Sequence, residues 1–276
     1  MDAVSLQQLR SWVDRISVPR HALLQAEANR AFARWLVEQF EAWGYAVQLQ
    51  GIYGNVVALP RNMASEIVLV GAHYDSVPQS PGADDNGSAV AAMLGCAEVI
   101  AKFASQTPVG FVAFNCEEDG MVGSADFVDS YLSRAEFTVG AVHILEMVGF
   151  ASSKPGSQRL PTGLPIQIPD RGDFLGLLAN KKSGVLMDSI LSEAKGCLPK
   201  FPVVGLEVVV GAEKLFPVLA RSDHLPFWNC NIPTVMWTDT SEFRNPHYHQ
   251  KTDTPETLDY DFLRHVTQLL VATVAR

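Results

Sequence analysis

The sequence predicts a three-layer α/β/α fold around a central, mixed and largely parallel sheet, and three observations predict it. Short apolar or alternating runs recur between longer segments of helical period, the pattern of strands wrapped by helices. Val109–Asn115 is apolar almost throughout, as a strand buried on both faces must be. Hydrophobic residues make up 47% and charged residues 18% of the 276 positions, enough for a large core and too little charge for a disordered chain.

Leu6–Ile16 reads as a short amphipathic helix. A longer helix is expected from Ala22 to Trp43, with Leu24, Ala28, Phe32, Trp35 and Phe40 near helical spacing and Gly44 as its stop. Arg20 and His21, in the connection, read as surface or capping residues. Strands follow at Ala46–Leu49, Asn55–Leu59 and Ile67–Gly71, then a helix at Ser88–Phe103 and the apolar strand at Val109. Ser124–Tyr131 reads as a helix capped by Ser124, and Val142–Leu145 as another buried strand. Residues 149–173 are rich in Pro, Gly, Ser and Gln without a period, and loops this long inside a domain commonly form lids or pocket walls. Phe174–Ala194 reads as helix, Leu206–Val210 and Thr234–Trp237 as strands, and Leu258–Ala275 as a closing helix. No repeat or linker composition interrupts the chain, so 1–276 reads as a single domain.

The net charge of −9 argues against nucleic acid or an anionic membrane as partner, and metal-ligating acids would account for part of it. Cys96, Cys116, Cys197 and Cys230 lack CxxC spacing, which excludes a zinc ribbon or a thioredoxin motif. A bridge between the later pair, or free thiols in a reducing compartment, are the two readings left. The first residues show no charged-then-apolar signal pattern, and no apolar run reaches about 18 residues. The expectation is a cytoplasmic protein, secreted if a leader has been removed.

The chemistry concentrates in residues 71–88, GAHYDSVPQSPGADDNGS, between an apolar run and a helical one. A strand end delivering His73 and Asp75, followed by a turn delivering Asp84 and Asp85, gathers an imidazole and several carboxylates. Such a cluster needs a cation, because like charges packed together cost free energy. Glu117, Glu118 and Asp119 follow the apolar strand, and Glu146 ends the next one. His247, His249 and Asp253 fall in a late loop. In open α/β sheets, ligands sit beyond the carboxyl ends of the strands. Imidazole with carboxylate and no thiolate suits zinc, with cobalt or manganese as substitutes.

The segments GAHYDSV, PGADDNGSAVAAML, EEDGMVGS, LEMVG, SDHLPFW and YHQKTDT, in this order over residues 71–254, resemble the zinc aminopeptidases of peptidase family M28. The glutamate carboxypeptidases and glutaminyl cyclases are relatives of that family. The resemblance implies the zinc-exopeptidase fold and a co-catalytic pair of zinc ions. His73 and Glu146 would hold one ion, Glu118 and His249 the other, with Asp85 bridging rather than Asp84. It also implies a cis bond at Asp85–Asn86. Glu146 is a departure, since many members carry Asp there.

Two metals about 3.5–4 Å apart can hold a water and polarise a carbonyl. Glu117, beside a ligand, is then the candidate general base, and Asp75 is placed to orient His73. Asp253 is expected to do similar work near His249. Tyr248 is a candidate for the oxyanion. Arg244 reads either as a substrate-binding group or as an ion-pair partner of Glu242 or loop anchor. His224 receives no metal and supports the site wall, and Cys116 reads as packing rather than as nucleophile. The leading expectation is an aminopeptidase acting on peptides, a monomer or small homo-oligomer. The alternatives are a glutaminyl cyclase or amide hydrolase on the same scaffold, or a non-enzymatic binding module that would have lost ligands.

Overall fold

A computed structural model describes residues 3–163, 166–209 and 211–275. The strands are β1 (Ala46–Gln50), β2 (Asn55–Leu59), β3 (Glu66–His73), β4 (Val109–Phe114), β5 (Thr138–Glu146), β6 (Leu175–Asn180), β7 (Val203–Val208) and β8 (Thr234–Thr238). The α-helices are α1 (Leu6–Ile16), α2 (Ala26–Ala42), α3 (Ala89–Phe103), α4 (Val122–Asp126), α5 (Gly184–Cys197), α6 (Ala212–Leu215), α7 (His224–Asn229) and α8 (Tyr260–Val274).

All eight strands join one sheet in the order β1-β2-β4-β3-β5-β8-β6-β7. The central four, β4-β3-β5-β8, are mutually parallel. The edges reverse direction: β2 pairs antiparallel with β4, and β6 antiparallel with β8. The mixed, largely parallel sheet is therefore as the sequence predicts.

Side-chain alternation divides each central strand between two cores. Val70, Ala72, Phe111, Ala113, Leu145 and Trp237 face the layer of α1, α2, α3, α5 and α8. Ile67, Leu69, Val112, Phe114 and Ile144 face a thinner layer with Phe127 and Phe227. No helix among the described residues is long and apolar enough to cross a membrane.

Four expectations are corrected. The expected helix over Phe174–Ala194 is a strand, β6, followed by a turn and α5. Leu-Gly-Leu-Leu-Ala is apolar on both faces because β6 is covered on both, and a short apolar run carries no period that separates strand from helix. Ser124 does not cap a helix: α4 begins at Val122 after left-handed Met121, and the Ser124 hydroxyl donates back to Met121 O. α2 starts at Ala26, because residues 22–25 form a turn in which His21 Nδ1 accepts from the amides of Leu23 and Leu24. The expected Leu206–Val210 strand lies instead at Val203–Val208, and Val210 falls outside the described residues.

Gly123, in the first turn of α4, lies against the end of β4. A methyl group there would drive into Asn115 O and come within 2.7 Å of Asn55 Oδ1, which accepts the Asn115 amide hydrogen bond. Gly123→Ala is expected to destabilise the fold by about 1–3 kcal/mol, read as a fall in the urea midpoint at unchanged slope. An unshifted midpoint would show that the α4 turn yields freely.

Candidate metal and catalytic site

Every acid and imidazole of the site stands at the carboxyl end of a parallel strand or in a loop crossing it. His73 is the last residue of β3 and Glu146 the last of β5. Glu117 and Glu118 follow β4 in a tight turn closed by the amides of Gly120 and Met121 onto Glu117 O. Asp85 sits in a helical turn, Ala83–Ser88, broken at Asp85 and Asn86 by non-helical backbone, and the Asp85–Asn86 bond is cis as expected. The break sends neighbouring acids in different directions.

Asp85 divides its carboxylate between the two imidazoles, with Oδ1 3.5 Å from His73 Nε2 and Oδ2 3.1 Å from His249 Nε2. Glu146 Oε2 lies 3.4 Å from His73 Nε2, Glu117 Oε2 lies 3.9 Å from it, and Glu118 Oε2 lies 3.3 Å from His249 Nε2. Two groups of candidate ligands result, His73–Glu117–Glu146 and Asp85–Glu118–His249, each with ligand atoms within 4.8 Å of one another. His73 is buried with neither ring nitrogen in a well-formed hydrogen bond, and oxygen and nitrogen donors alone face the gap. That donor set fits zinc or a similar first-row ion.

The surroundings fix these groups. Asp75, fully buried, stands 3.4 Å from His73 Nδ1 and accepts the amides of Glu117 and Glu118 at 3.2 Å each, so one carboxylate aligns the imidazole with the acidic turn. The Ser222 hydroxyl donates to Glu146 Oε2 at 2.7 Å. Asn86 donates to Leu145 O and accepts from Met147 N, tying the Asp85 turn to the strand end that carries Glu146. Asp84 points away: its oxygens accept from Gly149 N at 3.0 Å and Asn245 Nδ2 at 2.6 Å.

Asp253 does not orient His249. It accepts the amides of Asp84 and Asp85 at 2.9 and 3.1 Å and so braces the turn from behind. Arg244 lies outside the cavity wall and holds the 149–173 segment. Its guanidinium donates to Gln158 Oε1, Phe150 O and Phe174 O, while Glu242 pairs with Arg221. Tyr248 stacks on His249 with centroids 3.8 Å apart and lines the cavity. His224 donates through Nε2 to Leu219 O and packs on Trp228, in keeping with a wall residue. Burial pushes the Cys116 thiol up to about 12, which leaves it a packing residue.

Sequence reasoning missed Ser222 and Asp223 as neighbours of the acids, although the Ser-Asp-His motif marked the place. It also missed Arg20, which no motif marks.

The electrostatics are those of a crowded acid cluster. Burial works against charging the imidazoles, yet Asp85 and Glu118 lift His249 to about 10, and Glu146 and Glu117 lift His73 well above its ordinary value. Burial likewise favours neutral Asp85, but His249 and His73 hold it well below the carboxylate range. Burial, with Asp85 added, pushes Glu118 up to about 7. Burial and the acids Glu146, Asp223 and Glu118 raise Glu117 well above its ordinary value against the pull of His73. Asp223 rises to about 7, through burial first and Glu146 and Asp75 after it.

Beside the acids opens a cavity of about 230 Å³ whose floor includes Asp85, Glu117, Glu118 and Glu146. Its far wall is apolar, built by Leu160, Ile168, Leu178, Leu206, Met236 and Phe243. Gln158, Leu160, Pro161, Ile166 and Ile168 form one side, as expected of the 149–173 segment, and Ser241, Phe243 and Tyr248 another.

Comparison with known proteins places these features in context. The model of peptidase family M28 matches residues 55–166 and 207–274. The uncharacterised Escherichia coli K12 protein YfbL is 31% identical over 265 residues, covering 90% of this chain and 80% of that protein. The aminopeptidase YwaD of Bacillus subtilis is 31% identical over 227 residues, covering 80% of this chain and 44% of that protein. The solved structure of BSAP, a zinc aminopeptidase from Bacillus subtilis, superposes with a TM-score of 0.57 at 27% identity, over 80% of this chain and 49% of that one. The chain thus spans about half the length of these two aminopeptidases.

The raised imidazoles make a proton competition measurable. With no metal bound, His249, lifted to about 10, carries a proton at pH 7, and an ion must displace it. Zinc binding is expected to release protons, seen by calorimetry in buffers of different ionisation enthalpy, and to weaken as pH falls. The sign for folding is opposite. A raised histidine stabilises the metal-free fold fully below its unfolded value of about 6.5, and that contribution is lost as pH rises toward the folded value of about 10. The melting temperature of chelated protein should therefore fall from pH 6 to pH 10; a flat profile would contradict the pairing.

Proposed function

The chain belongs to peptidase family M28, and from that premise we propose that it is a metal-dependent aminopeptidase. The observation that carries the reading is the meeting of two donor groups across one divided carboxylate, Asp85, at the floor of an apolar cavity. His73 and Glu146 would hold one zinc ion, Glu118 and His249 the other, and Asp85 both. When bound, such a pair supplies an activated water and Lewis acidity toward a carbonyl.

The residues of the chain do the rest. Glu117 stands beside His73 and Glu146 with its carboxylate 3.9 Å from His73 Nε2 and lining the cavity, and its neighbour Glu118 turns to His249. As general base, Glu117 takes the proton of the attacking water and passes it to the departing amine. Burial raises its carboxyl well above the ordinary value, which favours holding the proton until that second step. Asp75 holds His73 and the Glu117–Glu118 backbone in register, so the base and both ligand sets move as one unit. Tyr248, kept protonated by burial, is available as an O–H donor to developing negative charge.

The cavity wall selects the substrate. An N-terminal residue with a large apolar side chain removes its own surface from water against Leu178, Leu206, Met236 and Phe243, at about 25 cal/mol per Å² of apolar area. A charged side chain there would lose its hydration, and Arg221 and Glu242, which also line the cavity, already pair with each other.

The test is a panel of aminoacyl-anilides with zinc stoichiometry, on wild type and Glu117→Gln. Leu, Met and Phe anilides should exceed Lys, Asp and Gly anilides in kcat/KM by about tenfold or more, since each buried methylene is worth about 0.8 kcal/mol. Glu117→Gln should lower kcat by about 10²–10⁴-fold with zinc content and KM little changed. Cyclisation of an N-terminal glutamine without anilide release would replace the reading by a cyclase. Absence of both zinc and turnover would point to a binding module.

A further inference from the structure

We propose that Arg20 is a positioning residue of the metal centre: without touching a ligand side chain, its guanidinium fixes the two loops that carry His73 and Asp85. Arg20 is fully buried, 53 residues before His73 in the chain (73 minus 20). Nε donates to Tyr74 O at 2.6 Å, and Nη2 to Gly82 O at 3.0 Å. Nη1 donates to Pro81 O at 2.6 Å, Ile16 O at 3.1 Å and Val18 O at 3.2 Å.

These carbonyls are not a random set. Tyr74 lies between His73 and its partner Asp75. Pro81 and Gly82 lead directly into the turn that presents Asp84 and Asp85. One rigid fork of donors therefore sets the span between the end of β3 and the Asp85 turn, two pieces of backbone that share no strand ladder.

The fork is itself held. The Arg20 amide donates to Ser76 Oγ at 3.1 Å, Asn29 donates to Arg20 O at 2.9 Å, and Asn29 and Asn115 exchange side-chain hydrogen bonds. Gly82 has φ +61°, and a Cβ there would meet Asp85 O and come within 3.0 Å of Arg20 Nη1, so the turn closes directly onto the guanidinium. None of these bonds goes to a carboxylate. The buried positive charge instead attracts Asp75, Asp85, Asp253 and Glu118 through space. A lysine ammonium keeps the charge but cannot span the same carbonyls.

This inference rests on the metal reading of the site, and its test separates the two. Zinc affinity is measured by chelator competition on the full chain as wild type, Arg20→Lys, Arg20→Gln and Arg244→Lys, each checked for native near-UV circular dichroism. Arg244→Lys removes a comparably buried fork that serves the 149–173 segment instead. Arg20→Lys is expected to bind zinc about 10–100-fold more weakly, and Arg20→Gln more weakly still. Arg244→Lys should bind like wild type whatever its loss in melting temperature. Wild-type affinity in folded Arg20 variants, or an equal loss in Arg244→Lys, would overturn the positioning role. Failure of both Arg20 variants to fold would also overturn it, making Arg20 a determinant of folding alone. A wild-type chain that binds no zinc removes the metal reading itself, before any variant is compared.

Discussion

Carboxylates cannot be buried side by side without positive charge to balance them, and the structure is arranged around that constraint. Asp75, Asp85, Glu117, Glu118, Glu146 and Asp223 converge where the central strands end, most of them nearly or wholly removed from solvent. Two imidazoles and one guanidinium stand among them, and the imidazoles answer the crowding by binding protons far more tightly than usual. Protons on the imidazoles and a divalent cation are alternative answers to that crowding, the cation bringing more charge. The parallel centre of the sheet makes the convergence possible, since β3, β4, β5 and β8 all release their chains at the same edge.

Holding such a cluster requires a rigid rear wall, and the chain builds it from polar groups. Asp84 and Asp239 are both buried and in hydrogen-bonding contact, and burial first of all drives both carboxyls up. Asp84 also accepts from Gly149 and Asn245, and Asp239 from Phe150 and Ser241, which locks the turn before α3 to the loops after β5 and β8. Asp253 closes the same wall by accepting the amides of Asp84 and Asp85. Asp84 directly precedes the candidate ligand Asp85 in the chain, yet its oxygens turn to Gly149 and Asn245. These acids hold loop backbone that the sheet does not, where buried N–H groups would otherwise lack partners.

The sheet and the chemistry were legible in the sequence to different depths. Strand-end residues His73 and Glu146 were readable because apolar runs terminate in an acid or imidazole, and the structure brings them together. Asp85 could be separated from Asp84 only by resemblance, because the deciding feature is a break in the helical turn that composition does not encode. β6 was hidden because burial on both faces removes periodicity, and the brace Asp253 was hidden because motif adjacency says nothing about direction; of the readings open for Arg244, the structure keeps the loop anchor. Arg20 was the hardest case. An arginine in a polar connection is ordinarily a surface group, and its burial depends on carbonyls more than fifty residues away.

Glu146 shows how such a scaffold fixes a long side chain. A glutamate carries one more rotatable bond than an aspartate, so its carboxylate has more freedom to lose on being placed. Here that freedom is removed in advance. Ser222 donates to Oε2, the oxygen that faces His73, and Asn86 holds the backbone on either side of Glu146 through Leu145 O and Met147 N. The longer side chain therefore arrives in a fixed place, and the same asparagine that steadies it follows Asp85 directly in the chain. A single amide thus couples the acid of one donor group to the carboxylate shared by both. The geometry at the two halves of the site is one property of the fold, set by side chains that do not themselves face the cavity.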